Sequence, residues 1–202
     1  MKPWRQEDLD AFLRVIDPAD DATGGGTASA VAGAMGAGLV GMVARVSIGR
    51  EGMREDAWYE EIDAEARRLT SELMTGGCAD SEAFGAVMDA YRLPRDSEER
   101  KAERSRRIRE AMVGATRVPL ENGLRCLAVL EMGRRLEAAH NQNASSDLAV
   151  GLSLARAGLE GCIANVDINL GSVKDGTERE KIEVRARELR EGLRRLEGES
   201  DG

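Results

Sequence analysis

Residues 21–45 read DATGGGTASAVAGAMGAGLVGMVAR, and 23 uncharged residues separate Asp21 from Arg45. Seven of those 23 are Gly and seven are Ala, so the segment offers little beyond its backbone. A membrane-spanning helix would need more apolar surface, flanking aromatic residues and a Lys/Arg bias, and this segment lacks all three. The pattern instead predicts a helix that is buried on all sides within protein.

The uncharged segment carries two rows of small residues at helical spacing. Those rows are Gly33, Ala37 and Gly41, with Ala30, Ala34 and Gly38 beside them. They would let neighbouring helices approach to backbone contact distance. Each interior Gly lowers helix stability by about 1 kcal/mol relative to Ala, so close packing or ligand approach must offset that loss.

A glycine turn precedes the predicted helix. Gly24, Gly25 and Gly26 give a flexible entry, and Thr27 or Ser29 is the predicted N-cap. The free N–H groups at such a helix start suit an anion. Because GGG is neither a Walker loop nor a GxGxxG motif after a strand, the residues alone leave both a structural turn and a ligand loop open.

Composition favours a single helical domain over residues 1–202. A chain of 202 residues can bury one substantial core. Only 3% of the residues are aromatic, so the core must rely on Leu, Ala, Val, Met and Gly, which suits close-packed helices. The net charge of -8 argues against nucleic-acid or anionic-membrane partners, because the attraction to phosphate would have the wrong sign.

Cysteine and histidine usage restricts the possible chemistry. Cys78, Cys126 and Cys162 are odd in number and form no CxxC motif, so neither a disulfide framework nor a zinc site is expected. His140 is the only histidine, and a surface position is the commoner expectation, with a proton donor as the alternative. Proton chemistry would then rest on carboxylates. The charged N-terminus lacks the apolar run of an export signal, so we expect a cytoplasmic protein.

Apolar spacing predicts about eight helices in an up-and-down bundle, without a strand. A helix end is predicted at Gly76 and Gly77, and Pro119 is predicted to open a new helix as a first-turn proline. The first helix runs from Trp4 to Ile16. Its large apolar residues share one face: Leu9, Phe12, Leu13 and Ile16.

The helix that follows Ser146 carries a further stripe of small residues. Its members, at steps of three or four, are Asp147, Gly151, Ala155, Gly158, Cys162, Asn165 and Asn169. The stripe can pack against the earlier rows in the same chain or in a partner chain. Its terminal Asp and Asn side chains are unfavourable on so tight a seam unless they are hydrogen-bonded.

Four blocks of sequence together resemble the formiminotransferase-cyclodeaminase C-terminal family, which includes the free-standing methenyltetrahydrofolate cyclohydrolases. The blocks are GGGTASAVAGAMGAGLVGMVARVSIG (24–49), ADSEAFGAVMDAYRLPR (79–95), RVPLENGLR (117–125) and NASSDLAVGLSLARAGLEGCIANVDINLGSVKD (143–175). They cover nearly the whole chain in the family's order. The resemblance implies an all-α bundle and a homodimer with folate sites near the subunit interface. It also implies a reaction without a metal or a nucleotide cofactor.

The resemblance places substrate contacts at the glycine turn. The family's PGGGS element matches residues 24–27, and Thr23 stands where the family has proline. The basic residue expected after the small-residue helix is Arg50, followed by Glu51 where a second basic residue is common. We therefore expect a looser turn and an altered grip on the glutamate carboxylates of the folate.

Both reactions of this family pass through a tetrahedral carbon between two nitrogens. Water opens the 5,10-methenyl bridge in the cyclohydrolase reaction, and the aniline nitrogen displaces ammonia in the cyclodeaminase reaction. One carboxylate that shuttles a proton would serve either. Asp147, in the family's SD position beside Ser146, is the first candidate, and Asp80 is the second. Capping of a helix start would explain either aspartate without chemistry.

Asn165 and Asn169 are predicted to bind the pterin's donor and acceptor edge, or else to bridge buried helices. Asp147 and Asn165 are 18 residues apart, about 27 Å along one helix, so they cannot reach one carbon from one subunit. A dimer of antiparallel copies is favoured over an extended folate held at both ends. The alternative function is a non-catalytic folate-binding or helical scaffold protein.

Overall fold

The computed structural model describes residues 6–20 and 23–198, which form helices and loops without a β-strand. The α-helices in these ranges are α1 (Gln6–Val15), α2 (Gly25–Ser47), α3 (Asp56–Arg92), α4 (Glu98–Glu137), α5 (Ser145–Leu170) and α6 (Gly176–Gly198). A short 3-10 helix, Gln142–Ala144, precedes α5. The all-α prediction is confirmed for the described part of the chain.

Helix α2 lies at the centre of the bundle. It packs against α1, α3, α4 and α5, and its Val40, Val43 and Ala44 side chains are fully buried. Its length and hydropathy alone would allow it to cross a membrane, yet 67% of its most apolar window is buried inside the bundle. This burial agrees with the predicted core helix.

The small residues of α2 and α5 meet within one chain. A Cβ added at Gly36 would lie 2.7 Å from the carbonyl oxygen of Gly151, and one added at Gly158 would lie 2.7 Å from the carbonyl oxygen of Ser29. The two helices therefore touch through their backbones. Of the two alternatives left open by the sequence, the structure shows packing within the same chain, so this seam does not support a dimer.

The predicted helix end at Gly76 and Gly77 is wrong, because α3 runs through both residues to Arg92. These glycines allow close packing instead of terminating a helix. A Cβ added at Gly76 would collide with the Asn122 side chain of α4, and Asn122 Nδ2 donates to the Gly76 carbonyl at 3.1 Å. Tertiary contact therefore overrides the local tendency of a Gly pair to end a helix.

The predicted helix start at Pro119 is also wrong, because α4 runs from Glu98 to Glu137 with the proline inside it. Pro119 has no N–H for the carbonyl of Ala115, and Asn169 of α5 supplies the missing donor at 2.9 Å. Helices α3 and α4 each replace two predicted helices. The described residues therefore contain six α-helices, where eight were expected.

The apolar face of α1 points away from the bundle. Asp8 and Ala11 are buried. The four large apolar side chains of the predicted face are instead 38–59% exposed: Leu9, Phe12, Leu13 and Ile16. The predicted helix start at Trp4 lies outside the described residues.

Candidate active site

One pocket brings together most of the predicted site residues. The start of α2, the second half of α3, the first half of α4 and the end of α5 enclose it, and its volume is about 350 Å³. The lining residues are Gly24, Gly25, Gly26, Asp80, Phe84, Val87, Met112, Ala115, Asn165 and Asn169. All the members with a predicted substrate or catalytic role come from α2, α3 and α5. Helix α4 adds two residues that were not predicted.

Two larger clefts lie beside α4 and offer less suitable chemistry. Their volumes are about 490 and 720 Å³. Their arginines are engaged in ion pairs: Arg125 with Glu72, Arg185 with Glu121 and Arg117 with Glu178. The smaller pocket is therefore the better candidate, because no arginine or lysine of the described residues forms an ion pair with its carboxylate, Asp80.

The start of α2 presents backbone donors to the pocket. Gly24 is the N-cap, and the first intrahelical hydrogen bond runs from the Ala28 N–H to the Gly24 carbonyl at 3.1 Å. The N–H groups of Gly25, Gly26 and Thr27 therefore have no acceptor within the helix. Such a helix end carries partial positive charge, which favours an anionic or carbonyl oxygen.

Asp80 of α3 caps this helix start from outside. Thr27 Oγ1 donates to Asp80 Oδ2 at 3.0 Å, and the Thr27 backbone N–H also donates to the carboxylate. A Cβ added at Gly26 would lie 2.5 Å from Asp80 Oδ1, so glycine makes room for the carboxylate. The predicted N-cap is corrected: Gly24 holds that position, and Ser29 Oγ donates to the Gly25 carbonyl at 2.6 Å. Asp80 itself lies inside α3 and does not cap its own helix.

Burial raises the pKa of the Asp80 carboxyl above its ordinary value, because the charged form loses water. The two hydrogen bonds from Thr27 lower that pKa and offset only part of the effect. A carboxyl with a raised pKa exchanges protons more readily near neutral pH. Asp80 is therefore suited to act as a base when ionised and as an acid when protonated.

Two amides at the end of α5 use their N–H groups on main-chain carbonyls. Asn165 Nδ2 donates to the Gly161 carbonyl at 2.8 Å, and Asn169 Nδ2 donates to the Ala115 carbonyl at 2.9 Å. Because a carbonyl can only accept, these bonds fix the orientation of each amide and leave its Oδ1 as an acceptor. The pocket thus combines acceptors from α5 with donors from α2.

The apolar wall of the pocket was missed by sequence reasoning. It consists of Phe84, Val87 and Met112, and Phe84 is 45% exposed. Two residues of this wall could have been found from their spacing. Phe84 and Val87 follow Asp80 by four and seven residues, so they share its helix face. Met112 enters from another helix, and no spacing in the sequence links it to Asp80.

The other predicted site residues lie at the opposite end of the bundle. Asp147 is in the first turn of α5, 18 residues before Asn165, and Arg50 follows the last turn of α2. The end of α2 is joined to the segment before α5 by a hydrogen bond, in which the N–H of Asn141 donates to Ser47 Oγ at 2.9 Å. The predicted residues that do not line the pocket and do not contact Asp80 are Arg50, Ser146 and Asp147.

His140 is buried, which corrects the expected surface position. Its Nδ1 lies 2.9 Å from the Leu136 carbonyl, and its Nε2 lies 2.9 Å from Ser145 Oγ. The ring therefore links the end of α4 to the start of α5. It lies near Asp147 in the chain and does not line the pocket that contains Asp80.

Comparison with known sequences identifies relatives over most of the chain. Residues 8–188 match the formiminotransferase-cyclodeaminase family. The chain is 37% identical to a methenyltetrahydrofolate cyclohydrolase of Methylorubrum extorquens, over 93% of this chain and 88% of that protein. It is 30% identical to a formimidoyltransferase-cyclodeaminase of Sus scrofa, over 90% of this chain but only 34% of that protein.

The fold also matches a solved structure. The crystal structure of formiminotetrahydrofolate cyclodeaminase from Thermotoga maritima superimposes with a TM-score of 0.80 and 25% sequence identity. The match covers 93% of this chain and 90% of that one. The family resemblance inferred from the four sequence blocks is confirmed. This chain belongs to the formiminotransferase-cyclodeaminase family.

Proposed function

We propose that this chain is a one-carbon folate enzyme that hydrolyses 5,10-methenyltetrahydrofolate to 10-formyltetrahydrofolate. Cyclodeamination of 5-formiminotetrahydrofolate is the second reaction that the same site would support. The observation that carries the proposal is the meeting of Asp80 with the donors of α2 and the acceptors of α5 in one pocket. Hydrolysis comes first because the cyclohydrolase relative matches over 88% of its length, against 34% for the bifunctional relative.

In the hydrolytic reaction, ionised Asp80 takes a proton from water as the water oxygen bonds to the methenyl carbon. Protonated Asp80 then returns that proton to N5 as the bond between this carbon and N5 breaks. The carbon stays on N10 as the formyl group, and the remaining carbinol proton leaves to solvent. The negative charge of Asp80 also stabilises the cationic substrate.

The cyclodeaminase reaction uses the same carboxylate. N10 attacks the formimino carbon, and Asp80 takes the N10 proton and delivers it to the imino nitrogen. One further proton from solvent lets that nitrogen leave as ammonia, which produces the cationic methenyl bridge. Asp80 is again regenerated in its ionised form.

The pterin ring would lie between the apolar wall and the end of α5. Oδ1 of Asn165 and Oδ1 of Asn169 would accept hydrogen bonds from N–H groups of the reduced pterin, because the main-chain bonds of Nδ2 fix the orientation of each amide. Phe84 and Met112 would contact the ring faces. The backbone donors at the start of α2 would bind a substrate oxygen.

We also propose that the enzyme is a homodimer. Support comes from the exposed apolar face at α1, since such faces on soluble proteins mark interaction surfaces. A dimer could bring Arg50, Ser146 and Asp147 of one subunit to the pocket of the other. Light scattering should give twice the chain mass, and Phe12→Glu with Leu13→Glu should give a folded monomer. A monomeric unaltered protein would contradict this proposal.

The proposed reactions use folate, water and the side chains of this protein, without a metal or a nucleotide cofactor. We expect them to take place in the cytoplasm, without nucleic-acid or membrane partners. The net charge of -8 and the free thiols of all three cysteines support this expectation.

The function is tested by turnover of the purified protein. Hydrolysis is followed by the loss of the near-ultraviolet absorbance of 5,10-methenyltetrahydrofolate, and cyclodeamination by ammonia released from 5-formiminotetrahydrofolate. We expect hydrolysis to be the faster reaction. Folate binding by calorimetry without either turnover would support the non-catalytic binding protein instead, and absence of folate binding would support a helical scaffold.

A further inference from the structure

Pro119 interrupts the hydrogen-bond ladder of α4 without ending the helix. Because proline has no N–H, the carbonyl of Ala115, four residues earlier, has no ladder donor. Asn169 Nδ2 donates to that carbonyl from α5 at a distance of 2.9 Å. The gap in one helix is therefore filled by a side chain of another helix.

The geometry points to Pro119 as a positioning residue for substrate binding, which acts by leaving the Ala115 carbonyl free to orient the Asn169 amide. Asn169 and Ala115 both line the pocket, whereas Pro119 is buried and does not line it. Pro119 therefore acts through Asn169 and not on the substrate. This inference rests on the proposed folate site.

The orientation of the Asn169 amide decides which of its polar atoms faces a ligand in the pocket. With one N–H of Asn169 Nδ2 held on the Ala115 carbonyl, the direction of the amide plane is fixed, and Oδ1 is presented as a hydrogen-bond acceptor. Asn165 is held differently, since its partner is the Gly161 carbonyl of its own helix, which also serves the α5 ladder. Only the Asn169 amide depends on a carbonyl that a proline has left open.

Proline at this position is unfavourable for α4 considered alone. Alanine at position 119 would restore the ladder bond and has much higher helix propensity. The restored N–H would share the Ala115 carbonyl with Asn169, as a ladder N–H already shares the Gly161 carbonyl with Asn165, so the Asn169 amide would lose part of its restraint. A more stable helix should therefore bind the folate less well.

The first experiment measures the kinetics and melting temperature of Pro119→Ala. We expect KM for 5,10-methenyltetrahydrofolate to rise about 3- to 10-fold, as for the loss of one oriented hydrogen bond. We expect kcat to stay within about twofold, because the proton carrier is untouched. The melting temperature should rise.

Gly114→Ala is the matched control for this helix. A Cβ added at Gly114 meets no atom within 4 Å, so the substitution stabilises α4 without touching the pair of Ala115 and Asn169. Its melting temperature should rise while KM stays unchanged. A similar rise in KM for Gly114→Ala would overturn the inference, because helix stiffness alone would then explain the effect.

A double-mutant cycle separates this inference from the proposed function. Asn169→Ala should raise KM, and adding Pro119→Ala to it should raise KM no further. If Asn169→Ala raises KM while Pro119→Ala does not, the positioning role is overturned and the folate site stands. An equal rise from Pro119→Ala in both backgrounds would also overturn the role. No change in Asn169→Ala would refute the placement of the folate beside Asn169.

Discussion

Thr27 Oγ1 donates to Asp80 Oδ2 at 3.0 Å and lies 3.3 Å from the Gly77 carbonyl oxygen. A hydroxyl has one proton and two lone pairs, so it can serve both protonation states of the carboxyl. It donates to Asp80 when that group is ionised. When Asp80 is protonated, the hydroxyl can accept from it and donate to Gly77 instead. The pair therefore allows a buried carboxyl to gain and lose a proton without an unsatisfied polar atom.

Thr27→Val should move the acid limb of the pH profile of kcat to higher pH. The hydroxyl favours ionised Asp80, so its removal should raise a pKa that burial has already raised. Turnover requires the ionised base and falls as the pH drops through that pKa. The limb should therefore shift upward by about 0.5 to 1 pH unit.

Thr27→Ser is the control for this shift, because serine keeps the hydroxyl and removes only a methyl group. Its acid limb should coincide with that of the unaltered protein. An unshifted limb in Thr27→Val, or an equal shift in Thr27→Ser, would show that the hydroxyl does not tune Asp80.

Gly26→Ala should displace the Asp80 carboxylate. The added Cβ would lie 2.5 Å from Oδ1, and the backbone of α2 fixes its position, so the carboxylate must move. Misplacement of a catalytic group by about 1 Å lowers turnover about 100-fold, while the circular dichroism of the helices should not change. Gly85→Ala on α3 is the control, since its Cβ meets no atom within 4 Å. Normal turnover by Gly26→Ala would refute the tight contact.

Gly158→Ala tests the intramolecular seam between α2 and α5. Its Cβ would lie 2.7 Å from the Ser29 carbonyl oxygen and 3.0 Å from the Gly33 nitrogen. Both are main-chain atoms, so the helices must separate, and the free energy of unfolding in urea should fall by about 1–3 kcal/mol. Gly114→Ala should raise it by up to about 1 kcal/mol. Equal stability of Gly158→Ala and the unaltered protein would mean that the backbones are not in contact.

Helical periodicity was sufficient to predict the fold class and the buried α2. The α5 stripe was predictable for the same reason, since Gly151, Ala155 and Gly158 stand at spacings that only a helix aligns. The contact of Gly36 with Gly151 was not predicted, because Gly36 belongs to neither predicted row of α2, and Gly38, which does, meets no atom within 4 Å.

The continuity of α3 and α4 was not predictable. Gly76 and Pro119 have the local properties of helix ends. The contacts that accompany the unbroken helices come from distant positions in the chain: Asn122 donates to the Gly76 carbonyl, and Asn169 donates to the Ala115 carbonyl that Pro119 leaves without a ladder donor.

The choice between two carboxylates lies beyond local sequence. Asp80 and Asp147 both stand where the sequence predicts a helix to begin, so each can be interpreted as a cap or as a proton carrier. The family resemblance ranked Asp147 first. The contact that favours Asp80 joins α2 to α3 across 53 residues of sequence. Residue spacing in the sequence cannot predict such a contact. The catalytic role of Asp147 stays a prediction, and it requires that a second subunit bring Asp147 to the pocket.

The most direct test of the proton carrier compares Asp80→Asn with Asp147→Asn in the hydrolysis of 5,10-methenyltetrahydrofolate. Asparagine keeps the size of the side chain and cannot take up the proton, so kcat of Asp80→Asn should fall about 100- to 10,000-fold with folate binding retained. Asp147→Asn should keep most of its turnover. Full turnover by Asp80→Asn, with turnover lost in Asp147→Asn, would contradict the assignment and move the chemistry to the opposite end of the bundle.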